Sequence, residues 1–232
     1  MEQLDKQEKI FWYYQEVNSK SFAEQEARLR WMFKQARRRY GTAIIHILNI
    51  GIGNGWLEDW CKEQGWIVHS IDIVPETVAR LQSKGIDAHV SDITSMPFDG
   101  GSMDVVFCGE VMEHLTPAVC SLGLDEIRRV LRRGGTFIGT TPHNENLPTA
   151  QVICGKCGNV SHPSGHLQSF SRASQREVLE AHGFRVRKQY ISAFLRYSSQ
   201  DWCGKIAMIP FSLIGRFGRG FYNTVCGFVC AG

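Results

Sequence analysis

The sequence predicts a doubly wound α/β fold, with a mostly parallel sheet and helices on both of its faces. A continuous apolar run at residues 43–50 leads into the glycine-rich turn "GIGNG". Strand-like and helix-like patterns then alternate as far as residue 192, and glycines follow most of the helical segments. This alternation is typical of right-handed βαβ units, which build a parallel sheet that binds its ligands beyond the carboxyl ends of the strands.

Six segments have the apolar character of strands: 43–50, 66–72, 86–90, 103–109, 136–142 and 185–192. Four helices lie between them. Their boundaries are predicted from Gly65 after the first, Pro75 at the start of the second, Thr116 and Pro117 at the start of the third, and Ser171 as the N-cap of the fourth. Residues 1–40 are rich in helix formers with interleaved aromatics, which predicts an N-terminal helical segment of two helices before a single domain at 41–232.

Composition excludes several classes of protein. The 232 residues are 43% hydrophobic, which is enough for a substantial core, and no run reaches the roughly 18 apolar residues that a membrane-spanning helix needs. The chain does not open on a signal-peptide pattern, and its eight cysteines lie mostly in core-like segments. We therefore expect a cytoplasmic protein whose cysteines are thiols or metal ligands.

The glycine-rich turn is compatible with two classes of cofactor. In the dinucleotide fingerprint G-x-G-x-x-G the third glycine lets the helix approach the strand, but Trp56 stands at that position here. Gly51, Gly53 and Gly55 form G-x-G-x-G, which lets backbone amides approach a ligand without a phosphate. Asp72 ends the second strand, where a carboxylate can bind ribose hydroxyls, as it would also for NAD. Asp92 favours the second class, an adenine-containing cofactor without a phosphate. A second acid at this position can accept from the adenine amine, while Ile93 packs on the adenine ring.

Residues 40–192 resemble the class I S-adenosylmethionine-dependent methyltransferases. The resemblance lies in "NIGIGNG", "SIDI", "SDI", "CGEVMEHL" and "VLRRGGTFIGTTP", which occur in the family's order. It implies a Rossmann-like fold, an antiparallel seventh strand from residues 222–232, S-adenosylmethionine as cofactor, and these cofactor-binding residues: Asn49, Gly51, Gly53, Gly55, Asp72, Ile73, Asp92, Ile93 and Gly109. Asn49 departs from the family, which usually has Asp or Glu at that position, so the departure bears on cofactor affinity.

The stretch "GEVMEHL" at 109–115 follows the fourth strand, at the rim where substrate meets cofactor. His114 is the expected general base for a hydroxyl acceptor, with Glu113 or Glu110 orienting it or contacting the substrate. The alternative is that His114 only forms a hydrogen bond within its loop. The Glu-His pair is similar to that of the ubiquinone-biosynthesis O-methyltransferases, which implies methyl transfer to oxygen of a small molecule.

Residues 152–168 are expected to be an insert that binds structural zinc. Cys154, Cys157, His162 and His166 have the spacing C-x2-C-x4-H-x3-H, which provides four ligands for a tetrahedral ion. A rival interpretation assigns His166 to the substrate, because relatives that lack the cysteines often keep a "His-x-x-x-Phe-Ser" stretch here.

Residues 195–223 combine aromatic and aliphatic bulk with positive charge, which predicts either a lid over a lipophilic substrate or peripheral membrane contact. No nucleic-acid partner is expected, because the chain lacks a recognition domain and a motif for base amino groups. The alternatives to a small-molecule enzyme are a protein or nucleic-acid methyltransferase and a non-catalytic, zinc-containing cofactor-binding scaffold.

Overall fold

The computed structural model describes residues 25–194 and 223–231. Nine strands follow in chain order: β1 (His46–Ile50), β2 (Ile67–Asp72), β3 (Asp87–Val90), β4 (Met103–Gly109), β5 (Leu131–Pro142), β6 (Val152–Ile153), β7 (Val160–Ser161), β8 (Phe184–Ala193) and β9 (Asn223–Ala231). The helices are α1 (Glu26–Tyr40), α2 (Trp56–Glu63), α3 (Pro75–Gln82), α4 (Pro117–Val130), α5 (Leu147–Ala150) and α6 (Arg172–Ala181), with a 3-10 turn at Met112–His114.

Seven strands form one sheet in the order β3-β2-β1-β4-β5-β9-β8. Strands β1 to β5 are parallel, and β9 lies antiparallel between β5 and β8. The doubly wound prediction is therefore confirmed, including the antiparallel strand expected from residues 222–232. The strand order reverses between β1 and β4, so the crevice between their carboxyl ends is the topological switch point at which ligands of such sheets bind.

The core lies on both faces of the sheet because neighbouring residues of a strand point to opposite sides. On one face, Leu48 and Val106 belong to a buried cluster with residues of α4 and α6. On the other, Ile47 and Val105 belong to a cluster with residues of α1, α2 and α3. This accounts for the continuous apolar runs in the sequence, since strands covered on both sides have no polar face.

Helix boundaries follow local signals, with one shift. Ser171 caps α6 through a capping box with Ser174, as its position predicts. The glycine pair at 134–135 is the nearest local signal for the end of helix α4, but the helix ends at Val130. Strand β5 begins at Leu131, which pairs with Met103 before a register shift, so tertiary pairing ends the helix earlier than the glycines would.

Two predictions concern residues outside the described ranges: the first of the two N-terminal helices, and the lid or membrane segment at 195–223, of which only Asn223 is described. The second N-terminal helix is α1. Within the described residues, no helix is long and apolar enough to cross a membrane.

Candidate active site

The glycine turn after β1 has no room for side chains. Gly51 has φ +78°, and a Cβ there would lie 2.8 Å from Val111 Cγ2. Asp72, at the end of β2, accepts from the amide of Ile52 at 2.8 Å and from the amide of Val74 at 2.9 Å. The carboxylate therefore fixes the glycine turn against the neighbouring strand, and the bare backbone of the turn faces the segment after β4.

Arg80 on α3 stabilises the same turn from the other side. Its Nη1 donates to the carbonyl of Asn54 at 2.8 Å, and its Nη2 donates to the carbonyl of Gly53 at 2.5 Å. A Cβ on Gly55, which has φ +81°, would lie 3.2 Å from the same guanidinium. The guanidinium therefore holds two carbonyls of the turn in place.

A buried acid lies beside the amide at position 49. Asn49 Nδ2 donates to Glu58 Oε1 at 2.7 Å, and the Ser70 hydroxyl donates to the same oxygen at 3.0 Å. Glu58 lies on α2 and is fully buried. Burial raises the pKa of Glu58 from its ordinary value of 4.5 to about 7, against the opposing effect of the Asn49 hydrogen bond. Asn49 therefore donates to a buried acid on the following helix.

In the loop after β3, Asp92 keeps one carboxyl oxygen without a partner among the described residues, whereas Ile93 is buried. Asp92 Oδ1 accepts from the amide of Thr94 at 2.7 Å and from its hydroxyl at 2.5 Å, while Oδ2 accepts from no residue that the structure describes. That oxygen is the acceptor that an adenine amine would use. Ile93 is buried against Gly123 of α4, where a Cβ would lie 2.9 Å from Ile93 Cγ1. Ile73 is half-buried directly after Asp72, and Gly109 ends β4 beside the Met32 side chain.

The segment after β4 contains two carboxyl groups in different environments. Glu110 has φ +57°, and its Oε2 lies 3.8 Å from Nη1 of Arg28 on α1. Glu113 is fully buried, and neither carboxyl oxygen forms a hydrogen bond to the described residues. Burial first, and then the charge of Glu110, raises the pKa of Glu113 well above its ordinary value. Burial thus favours the neutral form of Glu113, whereas Glu110 has a cationic partner in Arg28.

His114 is held by the loop that precedes α6. Its Nδ1 lies 3.4 Å from the carbonyl oxygen of Gly165, to which it donates, and its ring stands edge-on to His166 with 4.8 Å between ring centroids. Burial lowers the pKa of His114 to about 4, with a further contribution from His166. An imidazole with this pKa is neutral at pH 7 and has little affinity for a proton, so it is poorly suited to the base role that the sequence predicted.

His162 and His166 stack with 4.5 Å between ring centroids and share one carboxylate. Glu145 Oε2 lies 2.5 Å from His166 Nδ1, and Glu145 Oε1 lies 3.2 Å from His162 Nε2. All three side chains are at least 88% buried, with 6%, 9% and 12% of their area exposed for His162, His166 and Glu145. This triad adjoins His114, which makes a compact cluster of imidazoles at the rim.

The two cysteines of the predicted zinc site lie apart from these histidines. Cys154 and Cys157 are exposed free thiols in the turn between β6 and β7. The groups of three or more His, Cys, Asp or Glu ligand atoms that converge within 4.8 Å contain histidines and glutamates, and neither thiol belongs to one. The four-ligand set Cys154, Cys157, His162 and His166 is therefore not assembled, because the carboxylate of Glu145 holds both histidines.

A cavity of about 360 Å³ opens beside the cluster and is lined by His162, His166, Leu167, Leu147 and Gln151 among others. The amides of Leu167 and Gln168 donate to the carbonyl of Glu113, which joins this loop to the rim after β4. A larger hollow of about 450 Å³, lined by His46 and Phe98 among others, lies where β1 begins, at the opposite edge of the sheet. The smaller cavity is the one that adjoins the histidine cluster, and Leu167, which lines it, is joined to the turn after β4.

Comparison with known proteins agrees with this geometry. Residues 48–139 match the family model described as "Methyltransferase domain". A ubiquinone biosynthesis O-methyltransferase of Histophilus somni is 30% identical over 139 residues, which cover 55% of this chain and 56% of that protein. A probable S-adenosylmethionine-dependent methyltransferase of Mycolicibacterium smegmatis is 27% identical over 142 residues, covering 60% and 52%.

Residues 48–139 thus have the sequence features of a methyltransferase domain, and the chain is similar to S-adenosylmethionine-dependent methyltransferases. The chain spans about half the length of the curated relatives that it matches. Its fold agrees with the crystal structure of Burkholderia thailandensis 1,6-didemethyltoxoflavin-N1-methyltransferase, which contains bound 1,6-didemethyltoxoflavin and S-adenosylhomocysteine. The TM-score is 0.70 at 14% identity, and the match covers 96% of this chain and 86% of that one.

The residues at the rim fit the family's cofactor. The turn at Gly51 accepts no side chain, Asp72 ends β2 beside it, and Asp92 keeps one oxygen without a partner among the described residues. Sequence reasoning missed Glu58, Arg80 and Glu145. A carboxylate in the first turn of α2 and an arginine on α3 look like solvated helix charges in a sequence, so only their burial and contacts identify them.

Proposed function

We propose that this protein transfers the methyl group of S-adenosylmethionine to a hydroxyl oxygen of a small molecule. The observation that carries the proposal is the rim itself, where the glycine turn contacts Val111 and the next residues lead to an imidazole cluster beside a cavity of about 360 Å³. A hydroxyl acceptor must lose a proton during methylation, and a site rich in imidazole provides groups that can receive it.

In this proposal the chain positions two molecules and manages one proton. Backbone amides of the glycine turn, Asp72 and Asp92 hold the cofactor, with Gly53, Gly55, Ile73, Ile93 and Gly109 beside it. When bound, S-adenosylmethionine supplies a methyl group activated by its sulfonium, and S-adenosylhomocysteine is the second product. The residues after β4 align the acceptor and exclude water, which lowers the entropic cost of the reaction.

The first experiment measures binding of S-adenosylhomocysteine by calorimetry to the wild type, Gly51→Ala and Gly134→Ala. Both glycines have positive φ, +78° and +76°, but only at Gly51 would a new Cβ meet another atom within 4 Å. We expect roughly a tenfold or greater loss of affinity for Gly51→Ala and an unchanged affinity for Gly134→Ala. Equal affinities for all three proteins would contradict a cofactor site at this turn.

The second experiment identifies the acceptor class. The protein is incubated with methyl-labelled S-adenosylmethionine and cell extract, and label is counted in the organic-soluble, peptide and nucleic-acid fractions. Label in the organic-soluble fraction is the expected result. Label in peptide or nucleic acid would replace the small-molecule proposal by the second enzyme class, and cofactor binding without transfer to any fraction would favour the non-catalytic scaffold.

For the insert, zinc stays a prediction that now depends on the thiol pair. The amides of Cys157 and Lys156 donate to the Cys154 sulfur and lower the pKa of that thiol, and such donors are typical of a metal-binding turn. Elemental analysis of the wild type and of the Cys154→Ser, Cys157→Ser variant tests it. We expect zinc to be lost with the thiols, whereas a metal-free wild type that is folded and active would refute the prediction.

Peripheral membrane contact through residues 195–223 is a further proposal that the sequence alone supports. The same segment is also the reason for expecting a lipophilic substrate. More co-sedimentation with anionic than with neutral liposomes, weakened by salt, is the expected result. Equal recovery in the supernatant with both liposome types at low ionic strength would leave the segment as a lid and remove the reason for expecting a lipophilic acceptor.

A further inference from the structure

We propose that His166 is the catalytic residue that takes the acceptor's proton, and that Glu145 and His162 are positioning residues that hold it. The inference rests on the proposed methyl transfer. It assigns the base role to the loop before α6 instead of to His114, and it gives a function to a carboxylate that the sequence did not single out.

The hydrogen bonds fix the protonated nitrogen of each ring. His162 Nδ1 accepts from the amides of Ser164 at 3.2 Å and of His166 at 3.3 Å. Because that nitrogen is an acceptor, the neutral ring of His162 carries its proton on Nε2, which then donates to Glu145 Oε1.

The same reasoning determines His166. Glu145 is a carboxylate and can only accept, so the 2.5 Å contact between its Oε2 and His166 requires the ring proton on Nδ1. The lone pair of the neutral ring is therefore on Nε2. A base whose other nitrogen donates to a buried carboxylate is held in one orientation, as in the Ser-His-Asp triad.

Position favours His166 over His114 as the base. His166 lines the cavity of about 360 Å³. The next residue, Leu167, also lines it, and its backbone amide donates to the carbonyl of Glu113. The groups that face its ring within the described residues are Glu145 and His162 on one side, and Glu113 and His114 from the turn after β4 on the other. Of the three imidazoles in the cluster, His166 combines a carboxylate partner at Nδ1 with a position on the cavity.

The proton balance follows from this arrangement. As the acceptor oxygen bonds to the methyl carbon, the carbon–sulfur electron pair leaves with sulfur, and the hydroxyl proton moves to Nε2 of His166. The resulting imidazolium is paired with the Glu145 carboxylate. It returns the proton to water after the products leave, so the chain ends each turnover unchanged.

The first test needs neither substrate nor cofactor. Two-bond proton–nitrogen correlation spectra of the full chain, with histidine labelled by nitrogen-15, report which ring nitrogen carries the proton, and His162→Gln and His166→Gln variants assign the two signals. We expect the proton on Nε2 of His162 and on Nδ1 of His166. In Glu145→Gln a single carboxamide oxygen replaces two carboxylate oxygens, so at least one ring should change its tautomer. Other tautomers in the wild type, or spectra that Glu145→Gln leaves unchanged, overturn the proposal.

The second test is kinetic and uses the acceptor found by the labelling experiment. His166→Gln should lower kcat about 10²–10⁴-fold, leave the affinity for S-adenosylhomocysteine unchanged, and remove the rise of kcat with pH that a base produces. Glu145→Gln should lower kcat less than His166→Gln does. The control is His182→Gln, because His182 also contacts a carboxylate, Asp125 at 2.7 Å, but lies at the end of α6 outside the cluster.

The two failures can be told apart. A wild type that binds no S-adenosylhomocysteine and methylates nothing would end the proposed function, and with it this inference. A wild type that methylates its acceptor, beside a His166→Gln variant with the same kcat and the same pH dependence, would end the inference alone.

Discussion

Replacement of Glu58 by glutamine tests the buried acid beneath β1. Burial raises the pKa of Glu58 from 4.5 to about 7, so between these values the folded chain keeps a proton that the unfolded chain has lost. Stability must therefore fall as the pH rises through this window. At about 1.36 kcal/mol for each pH unit between the two values, the full contribution is about 3 kcal/mol, of which about 2.5 kcal/mol falls between pH 5 and pH 8.

Glu58→Gln keeps an oxygen for Asn49 and Ser70 but does not ionise. Urea unfolding followed by tryptophan fluorescence at pH 5 and pH 8 gives the free energy of unfolding of both proteins. We expect the wild type to lose about 2.5 kcal/mol more than the variant over this interval. Glu63→Gln, an exposed change on the same helix, should follow the wild type. If wild type and Glu58→Gln show the same pH dependence, the reasoning about burial is refuted.

Two further predictions concern the residues that depart from expectation. Asn49→Asp restores the family's usual acid type but replaces a donor 2.7 Å from Glu58 Oε1 by a second carboxylate, so the free energy of unfolding at pH 8 should fall by about 2–4 kcal/mol. Glu58→Gln in the same chain should recover most of this loss in urea unfolding, and an unaltered stability of Asn49→Asp would count against the contact. Because His114 has a pKa of about 4 and is neutral from pH 6 to 8, His114→Ala should keep the wild-type pH dependence of kcat in that range, whatever its effect on kcat itself. A pH limb that disappears with His114 would instead restore it as the base.

The order of the elements could be predicted because each boundary is a local signal. Pro75 and Ser171 start helices, and the apolar runs that become β1 and β4 are long enough to identify strands covered on both faces. The end of α4 could not, because Leu131 leaves the helix to pair with Met103, which is twenty-eight positions earlier in the chain. A glycine pair indicates where a helix can end, while pairing across the sheet decides where it does.

The cofactor rim was also largely predictable, since in a parallel sheet the residues after each strand gather at one edge. The contacts within it were not. His162 and His166 have the spacing of zinc ligands, and in a sequence nothing places Glu145 nearer to them than Cys154.

By itself the sequence determined the doubly wound sheet, the glycine turn at Gly51 and the acids after β2 and β3, because these depend on periodicity, on backbone conformation and on the common edge of parallel strands. Only the tertiary structure decided that Glu145 holds both histidines while the thiols stay in an exposed turn, and that Asn49 of β1 donates to the buried Glu58. These pairings join segments that are far apart in the sequence, and sequence separation does not tell which side chains lie close in space. Burial, which shifts the pKa of a carboxyl group or an imidazole, exists only once the chain has folded.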